Sequence, residues 1–359
     1  MGKFDAELVA TCNAIVRPGH GILAADESTG TIGKRFAPIN VENTQDNRRK
    51  YRQLLFETKG LGEYISGAIC FEETLFEKTP DGTPFVDLLK ANNIIPGIKV
   101  DKGQAPIDSH LAAEGETSTQ GLDDLHKRCD KYYAAGARFA KWRAVIKINA
   151  ANGAPSALAI QEQTNGLARY ASICQAHGLA PIVEPEVLMD GEHSIEVSSA
   201  VTARVWSAQM KALQDHGVLL EGILLKPNMV RSGQQAAKKA TMTEVGEWTV
   251  KTFRKVIPPA VPGFTFLSGG MSEEEATLAL NACNQSANHR PWAMSFSYGR
   301  ALQASVLKAW KGEDANIAAA QEALLIRAKA NSEAQLGKYA GGAGGAAATE
   351  STYVANYSY

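Results

Sequence analysis

The residue of this sequence with the clearest chemical potential is Lys226, which directly follows the apolar residues GILL. Apolar surroundings disfavour the charged form of a lysine, and a neutral amine can attack a ketone to form a Schiff base. The resulting iminium withdraws electrons, so a neighbouring carbon–carbon bond can break without a metal. Lys141, with Arg143 close by, adds positive charge that would further favour a neutral Lys226. A surface ion pair is the alternative for any single lysine of this kind.

Three carboxylates could supply the proton transfers that Schiff-base formation and carbon–carbon cleavage require. Glu184 and Glu186 are two residues apart in an apolar segment, so both would point to the same face of a strand. Asp26 ends a different apolar segment and could serve a separate step. A salt-bridge network with Lys141 and Lys226 is the alternative. The two interpretations are compatible, because such networks also tune pKa values.

Two groups of small and cationic residues predict sites for phosphate. The first combines glycine-rich turns before helices with a guanidinium, and it consists of Ser268, Gly269, Gly299 and Arg300. The second would lie across the same opening, where an arginine fork matches phosphate geometry, and it consists of Ser28, Arg35 and Arg143. Glycine-rich turns are common, so the pairing of the two groups carries the prediction rather than either turn alone.

These residues lie at or just after the ends of eight short apolar segments, which we interpret as strands: residues 21–26, 65–71, 94–100, 139–146, 180–187, 222–228, 265–270 and 292–299. Helical spacing and capping signals predict helices at residues 44–55, 157–177, 192–216 and 272–281, the last capped by Ser272. Alternating strands and helices predict an α/β fold, a single-domain (β/α)8 TIM barrel, whose reactive residues lie at the carboxyl ends of strands. An open doubly wound sheet is the alternative.

Residues 339–359 differ in composition from the predicted barrel, residues 1–338. Glycine and alanine dominate this C-terminal segment, which predicts a flexible tail rather than a packed one. Its aromatic end, which includes Tyr359 as the last residue, is unusual for a tail that only meets solvent. We expect the tail to reach the active site and to bring an aromatic hydroxyl there.

Composition and charge limit the partners and cofactors that the sequence favours. Lysine and arginine number 37 and aspartate and glutamate 38, and the net charge of −1 gives no general reason to expect nucleic acid or an anionic membrane as a partner. Five cysteines without a CxxC pair fit a reduced, cytoplasmic location. The sequence shows neither a signal-peptide core nor an apolar run that could insert into a membrane. Seven histidines without HxH or HExxH spacing argue against a metal, and no cofactor is expected.

Seven segments occur in the order GILAADESTGTIGKRF, GIKVDKG, FAKWRAVIKI, IVEPEVL, EGILLKPNMV, FLSGG and FSYGRALQAS. Together they resemble the strand signatures of the class I fructose-bisphosphate aldolases of animals, plants and protists. The resemblance runs from about Ile15 to Tyr359, and LLKPNMV and ILAADEST are its most specific parts. Loops at 59–64, 107–114 and 149–153 depart from the family's pattern, which leaves isozyme type and substrate preference open.

The resemblance implies reversible cleavage of fructose 1,6-bisphosphate to dihydroxyacetone phosphate and glyceraldehyde 3-phosphate, in glycolysis and gluconeogenesis. It implies that Lys226 forms the Schiff base and that Glu184 is the general acid and base. Substrate hydroxyls and further proton transfers would fall to the same polar cluster, namely Asp26, Lys141, Glu186 and Lys99. The group around Ser268 would hold the phosphate nearest the ketone, and the group around Arg35 the other. Tyr359 would exchange a proton at the Schiff-base carbon.

The resemblance also implies a homotetramer, and partners such as actin, other cytoskeletal proteins or adhesin tails that bind at the basic mouth. Two other hypotheses stay open. A sugar-phosphate isomerase or epimerase barrel would also need phosphate loops and a glutamate base, but it would not need the amine of Lys226. A scaffold without activity would be expected to lose some strand-end residues, and none of the expected ones is substituted.

Overall fold

The computed structural model describes residues 2–355. Its centre is a closed barrel of parallel strands, which are β1 (Gly21–Ala25), β2 (Ile65–Cys70), β3 (Ile95–Lys99), β4 (Phe139–Ile146), β5 (Ala180–Val187), β6 (Leu224–Leu225), β7 (Gly263–Phe266) and β8 (Ala293–Tyr298). Ile22 of β1 lies opposite Gly67 of β2 on one side and Ser297 of β8 on the other, which closes the sheet. The predicted TIM barrel is confirmed, and the open-sheet alternative is excluded.

Helices surround the barrel and connect its strands. Within residues 2–355 they are α1 (Asp5–Ile15), α2 (Thr29–Phe36), α3 (Gln45–Phe56), α4 (Glu72–Leu75), α5 (Phe85–Ala91), α6 (Leu125–Ala134), α7 (Ala157–Ala176), α8 (Ile195–Asp215), α9 (Met242–Phe253), α10 (Glu273–Gln285), α11 (Arg300–Trp310) and α12 (Ile317–Gln335). The predicted helices correspond to α3, α7, α8 and α10. Ser272 caps α10 as expected. Its hydroxyl accepts a hydrogen bond from the backbone amide of Glu275, and the carboxylate of Glu275 accepts one from the backbone amide of Ser272.

The inward-facing residues of the strands form two layers, an apolar half of the barrel interior and a charged half. The apolar half contains Ile22, Phe139, Ile182 and Leu224, which pack together. Two residues further along β4 and β5, and directly after β6, come Lys141, Glu184 and Lys226. Since residues two apart in a strand share a face, these charged side chains point into the same interior, nearer the carboxyl ends of the strands.

Helix α1 closes the amino-terminal end of this interior. Its buried residues Leu8, Cys12 and Ile15 belong to the same apolar cluster as the inward-facing residues of the strands. Among the described residues, the barrel therefore has an apolar floor, and its charged half opens only toward the loops that follow the strands.

Two strands near the site are shorter than predicted. For the segment 222–228 the structure has only Leu224–Leu225, although the amide of Lys226 still donates to the carbonyl of Val183 at 2.9 Å. The strand ends there because Pro227 has no amide hydrogen with which to continue the ladder. β7 spans Gly263–Phe266 where 265–270 was predicted, and Gly269 and Gly270, which adopt the left-handed region, lie beyond its end. A hairpin of Gln104–Pro106 and Thr117–Thr119 was not predicted at all.

The described part of the C-terminal tail contacts the barrel at both ends. Tyr339 is buried, and its hydroxyl donates to Glu274 at 2.6 Å. Tyr353 donates its hydroxyl to Asp190, also at 2.6 Å. These residues are packed where the composition predicted an unpacked segment, because their aromatic hydroxyls find acidic partners on the barrel. The division at residue 338 and the flexibility of the tail stay predictions.

Candidate active site

A single buried carboxylate, Glu184, connects two lysines at the open end of the barrel. Its Oε2 atom lies 3.2 Å from Nζ of Lys141, and its Oε1 atom lies 3.3 Å from Nζ of Lys226. On the other side of Lys141, its ammonium lies 2.9 Å from Oδ2 of Asp26. Lys141 and Glu184 lie in β4 and β5, whereas Asp26 and Lys226 directly follow β1 and β6. The structure thus brings together four of the predicted catalytic residues, which are distant in sequence.

These four side chains are removed almost entirely from solvent: Lys141 is 0% exposed, Glu184 1%, and Asp26 and Lys226 3% each. Buried charges persist only when they are paired, and here lysines alternate with carboxylates. Burial raises the pKa of Asp26, but the ammonium groups around it, above all that of Lys141, outweigh burial and hold this pKa below its usual range. Asp26 is therefore ionised at neutral pH.

The side chain of Lys226 was expected in apolar surroundings, and the structure shows a mixed environment. Its sequence neighbours Leu224 and Leu225 are buried and apolar, as expected. Its ammonium nitrogen, however, faces the carboxylate of Glu184. The salt-bridge network considered as an alternative is therefore present, and it contains the same residues that the chemistry would use.

Asp101 contacts two further cationic residues beside these four side chains, Lys99 and Arg143. Nζ of Lys99 lies 3.1 Å from Oδ1 of Asp101, while the amide of Arg143 donates to Oδ2 at 3.3 Å. Nε of Arg143 donates to Glu186 at 2.5 Å. Each buried cation in this layer therefore faces at least one carboxylate.

A pocket that is partly open to solvent contains most of the predicted site. Its lining combines candidates for catalysis and for phosphate binding: Asp26, Glu184, Glu186, Lys226, Arg35, Ser268, Gly269, Gly299 and Arg300. A ligand in this pocket can therefore meet the amine of Lys226 and the glycine-rich turns at once.

The turn after β7 has the geometry of an anion site. Gly269 and Gly270 have φ angles of +57° and +86°, which only glycine adopts without strain. They lead directly to the capped amino terminus of α10, where the helix dipole favours negative charge. Ser268 is buried beside them. Arg300 is the first residue of α11 and lies on the same pocket.

The three residues of the second predicted phosphate group each bond to a different neighbour. The Ser28 hydroxyl caps α2 by accepting the amide of Thr31 at 3.3 Å. Arg35 lies 2.5 Å from Glu27 and beside Gly299. Arg143 instead lies in β4, where it pairs with a carboxylate of β5. A shared phosphate site for these residues stays a prediction, and Tyr359 lies outside the described residues.

The sequence-based prediction included Arg35 but missed two charged residues next to it, Glu27 and Arg52. The Glu27 carboxylate lines the pocket and lies between Arg35 and Arg52, with its Oε2 atom 2.8 Å from Arg52 Nη1. Two local signals could have marked Glu27 and Arg52 as buried charges, although neither shows that the two residues pair. Glu27 directly follows Asp26 at the end of an apolar strand, and Arg52 occupies the apolar face of α3.

The described residues offer no metal site, no membrane-spanning helix and no disulfide. Within residues 2–355, no group of three or more His, Cys, Asp or Glu side chains is arranged to hold a metal ion. In the same range, none of the helices combines the length and the apolar character needed to cross a membrane. All five cysteines are buried and unbridged.

Comparisons with known proteins decide the family. The sequence model of the family described as fructose-bisphosphate aldolase class-I matches residues 7–359. This chain belongs to the class I fructose-bisphosphate aldolase family. The resemblance inferred from the strand motifs is thereby confirmed.

Relatives of the family match over almost their whole length. The fructose-bisphosphate aldolase, cytoplasmic isozyme, of Spinacia oleracea is 59% identical over 358 residues, which are 100% of this chain and 99% of the relative. Fructose-bisphosphate aldolase 1 of Toxoplasma gondii is 60% identical over 353 residues, 98% of this chain and 96% of the relative. Among solved structures, fructose-bisphosphate aldolase from Plasmodium falciparum, in complex with TRAP and a small molecule inhibitor, superposes with a TM-score of 0.92, at 59% identity over 94% of this chain and 96% of that one.

Proposed function

We propose that this chain cleaves fructose 1,6-bisphosphate reversibly to dihydroxyacetone phosphate and glyceraldehyde 3-phosphate, through a Schiff base on Lys226. The observation that best supports this proposal is the position of Glu184. Its two oxygens lie 3.3 Å from Lys226 and 3.2 Å from Lys141, so one carboxylate can exchange protons with the attacking amine and with a second lysine. Proton transfer over such distances needs little rearrangement.

The first steps use Lys226 and Glu184. Glu184 accepts a proton from Lys226, and the neutral amine attacks the C2 carbonyl of the ketose to form a carbinolamine. Glu184 then gives a proton to the C2 hydroxyl, which leaves as water while the nitrogen lone pair forms the iminium. The burial of both side chains keeps bulk water from competing for the amine.

Cleavage needs a base for the C4 hydroxyl. Glu184, deprotonated again, takes that proton, the C3–C4 bond breaks, and its electrons move to the iminium to form an enamine. The C4 oxygen becomes the aldehyde of glyceraldehyde 3-phosphate. The ionised carboxylate of Asp26 and the ammonium of Lys141 orient the substrate hydroxyls, with help from Glu186 and Lys99.

The remaining steps protonate the enamine and hydrolyse the iminium, which returns Lys226 and releases dihydroxyacetone phosphate. Family resemblance assigns the protonation to Tyr359. Ser268, Gly269, Gly299 and Arg300 would hold the phosphate nearest the ketone, since they lie together on the pocket that contains Lys226. Ser28, Arg35 and Arg143 are assigned to the other phosphate. No metal or organic cofactor enters these steps.

The location and assembly of the protein are further proposals. A relative that matches the entire chain is named a cytoplasmic isozyme, which supports a cytoplasmic location in the glycolytic and gluconeogenic pathway. Family resemblance supports a homotetramer and partners such as actin, other cytoskeletal proteins or adhesin tails. The solved Plasmodium falciparum relative in complex with TRAP supports partner binding by this fold.

The experiment that tests the function is reductive trapping. Borohydride with dihydroxyacetone phosphate should inactivate the protein and add one reduced triose phosphate to the peptide that contains Lys226, as detected by mass spectrometry. Lys226→Met should abolish both cleavage and labelling. Lys211→Met, which removes an exposed lysine of α8, is the matched control and should behave like the unmodified protein.

The outcomes separate this mechanism from other chemistry. Full turnover in Lys226→Met would reject the Schiff base and favour an isomerase that uses only the glutamate base. Loss of cleavage on treatment with EDTA would also contradict the proposal, because none of its steps uses a metal.

A further inference from the structure

A second cavity adjoins the turn that follows β7. It shares Ser268 and Gly269 with the pocket of Lys226, and the loops that follow β5 and β6 also line it, through His193 and Arg231. Much of the remaining lining is apolar and consists of Leu188, Met189, Met229, Leu267 and Met271. The cavity is small, with room for little more than one water molecule or one small ion.

The guanidinium of Arg231 lacks an acceptor at this cavity. Among residues 2–355, no hydrogen-bond partner meets its buried Nη1 atom. Burial lowers the pKa of Arg231, and the carboxylate of Glu275 only partly opposes this effect. An arginine nevertheless stays charged in a protein, and a buried charge without a partner is costly. We therefore expect an acceptor that the described residues do not supply.

The carboxylates around this cavity already accept other hydrogen bonds. Glu186, which lines it, accepts from Nε of Arg143 at 2.5 Å. Glu275 caps α10, and Asp190 accepts the hydroxyl of Tyr353 at 2.6 Å. These acids lower the positive charge of the region from a distance, but they leave the acceptor position beside Nη1 of Arg231 unfilled.

Two neighbours of Arg231 add a donor and a positive charge. The Nδ1 atom of His193 is buried and has no hydrogen-bond partner within residues 2–355. Burial and the charge of Arg231 lower the pKa of His193 more than Asp190 raises it, so at neutral pH the ring is uncharged and carries one N–H. Burial and Arg231 also lower the pKa of Lys239, whose ammonium donates to the carbonyl of Gly233 at 2.8 Å.

The loops that carry His193 and Arg231 hold each other in place. The amide of Gly233 donates to the carbonyl of His193 at 2.8 Å, and the amide of Gln235 donates to the carbonyl of Gly191 at 2.9 Å. A Cβ atom at Gly233 would collide with the carbonyl oxygen of Gly191, so the two loops also pack closely. An anion in the cavity would therefore meet side chains that need little ordering before they bind.

We propose that this cavity binds one small monovalent anion of the size of chloride, held by the guanidinium of Arg231 and the imidazole of His193. The size of the cavity favours a monatomic ion over a phosphate group. The methionine-rich lining leaves little competing water, which strengthens the attraction between the ion and Arg231. The bound anion would neutralise Arg231 and stabilise the contact between the loops after β5 and β6. This inference does not depend on the proposed reaction.

Thermal unfolding of the purified full-length protein in potassium chloride and in potassium gluconate, at equal ionic strength, tests the site. We expect chloride to raise Tm by about 2 °C relative to gluconate, because an ion that binds only the folded state stabilises it. Arg231→Met should lose this dependence on chloride. In gluconate it should be at least as stable as the unmodified protein, because methionine removes the unpaired charge. A loss of packing alone would instead lower Tm equally in both salts.

A matched variant and a direct measurement complete the test. Arg254→Met is the control, because Arg254 is exposed and bonds to Asn288 outside the cavity, and it should keep the dependence on chloride. Chloride bound at the phosphate turn beside Arg300 would persist in Arg231→Met, so only the part of the shift lost in that variant counts. Crystals soaked in bromide should show an anomalous peak beside Arg231 and no such peak in Arg231→Met.

Three outcomes would overturn the inference. The first is a chloride shift of the same size in Arg231→Met and in the unmodified protein. The second is a bromide-soaked crystal without a peak in the cavity, which would assign the cavity to water. The third is a peak without a shift in Tm, which would mean binding at crystal concentration only. If Arg231→Met does not fold, Arg231→Gln decides, because it also removes the charge and must lose the dependence on chloride.

Discussion

Replacement of Lys141 by methionine should strongly destabilise the protein at neutral pH. The Lys141 ammonium is fully buried and lies 2.9 Å from Asp26 and 3.2 Å from Glu184. Methionine fills a similar volume but leaves both carboxylates in the interior without this partner. Removal of one partner of a buried ion pair costs about 3–5 kcal/mol. That loss is a large part of the roughly 5–15 kcal/mol by which folded proteins are stable.

The size of the loss should depend on pH. In the unmodified protein burial raises the pKa of Asp26, but Lys141, with Lys226 and Lys99, holds it below its usual range. A carboxyl group with a lowered pKa contributes stability above its unfolded pKa, and this contribution disappears as pH falls through the folded value. Without Lys141, burial counts for more, and Asp26 is protonated at a higher pH. The difference in free energy of unfolding between the two proteins should therefore be largest near neutral pH and shrink in acid.

Urea denaturation followed by circular dichroism, at several pH values, measures this difference. Lys211→Met is the control, because Lys211 forms an exposed pair with Asp215 and its loss should change the free energy of unfolding little. The reasoning is refuted if a folded Lys141→Met variant loses less than about 1 kcal/mol at neutral pH, or if the loss grows as pH falls.

Two further predictions concern the packing of the barrel and the attachment of the tail. Gly97→Ala would place a methyl group inside van der Waals contact with the ring of Phe139 and should destabilise the protein by about 1–3 kcal/mol in urea denaturation. Gly166→Ala in α7, with nothing within 4 Å of the new methyl group, should stabilise the protein by about 0.5–1 kcal/mol. If both substitutions changed the free energy of unfolding in the same direction, the packing described around Gly97 and Gly166 would be contradicted. Tyr353→Phe removes the hydroxyl bonded to Asp190, and limited proteolysis beyond residue 338 should accelerate roughly fivefold, without a change in global unfolding. An unchanged rate would show that this bond does not hold the tail.

The residues at the strand ends could be predicted because the rule that places them is local. Asp26 and Lys226 each follow a continuous apolar run, and closure of a parallel barrel brings such ends together whatever their distance in sequence. The same reasoning located Ser268, since a serine and glycines before a helix cap form a recognisable turn. Local pattern thus predicted both the fold and the buried charge cluster.

Other parts of the site depend on contacts that no local pattern reveals. The Glu27–Arg52 pair joins a strand end to a helix, and only the packing of α3 against β1 makes it visible. Tyr353 meets Asp190 across 163 residues, where glycine and alanine content had suggested a loose segment. In each case a polar side chain found a partner determined by tertiary structure.

In the part of the chain that the structure describes, the apolar floor formed by α1 closes one end of the barrel, and this bears on the order of events in the proposed reaction. Leu8, Cys12 and Ile15 seal the opposite end, so substrate and both products must pass the same loops. The aldehyde fragment is released when the carbon–carbon bond breaks, while the other fragment is still covalently bound to Lys226 deep in the barrel. The aldehyde must therefore depart first, and in the synthetic direction it must enter last.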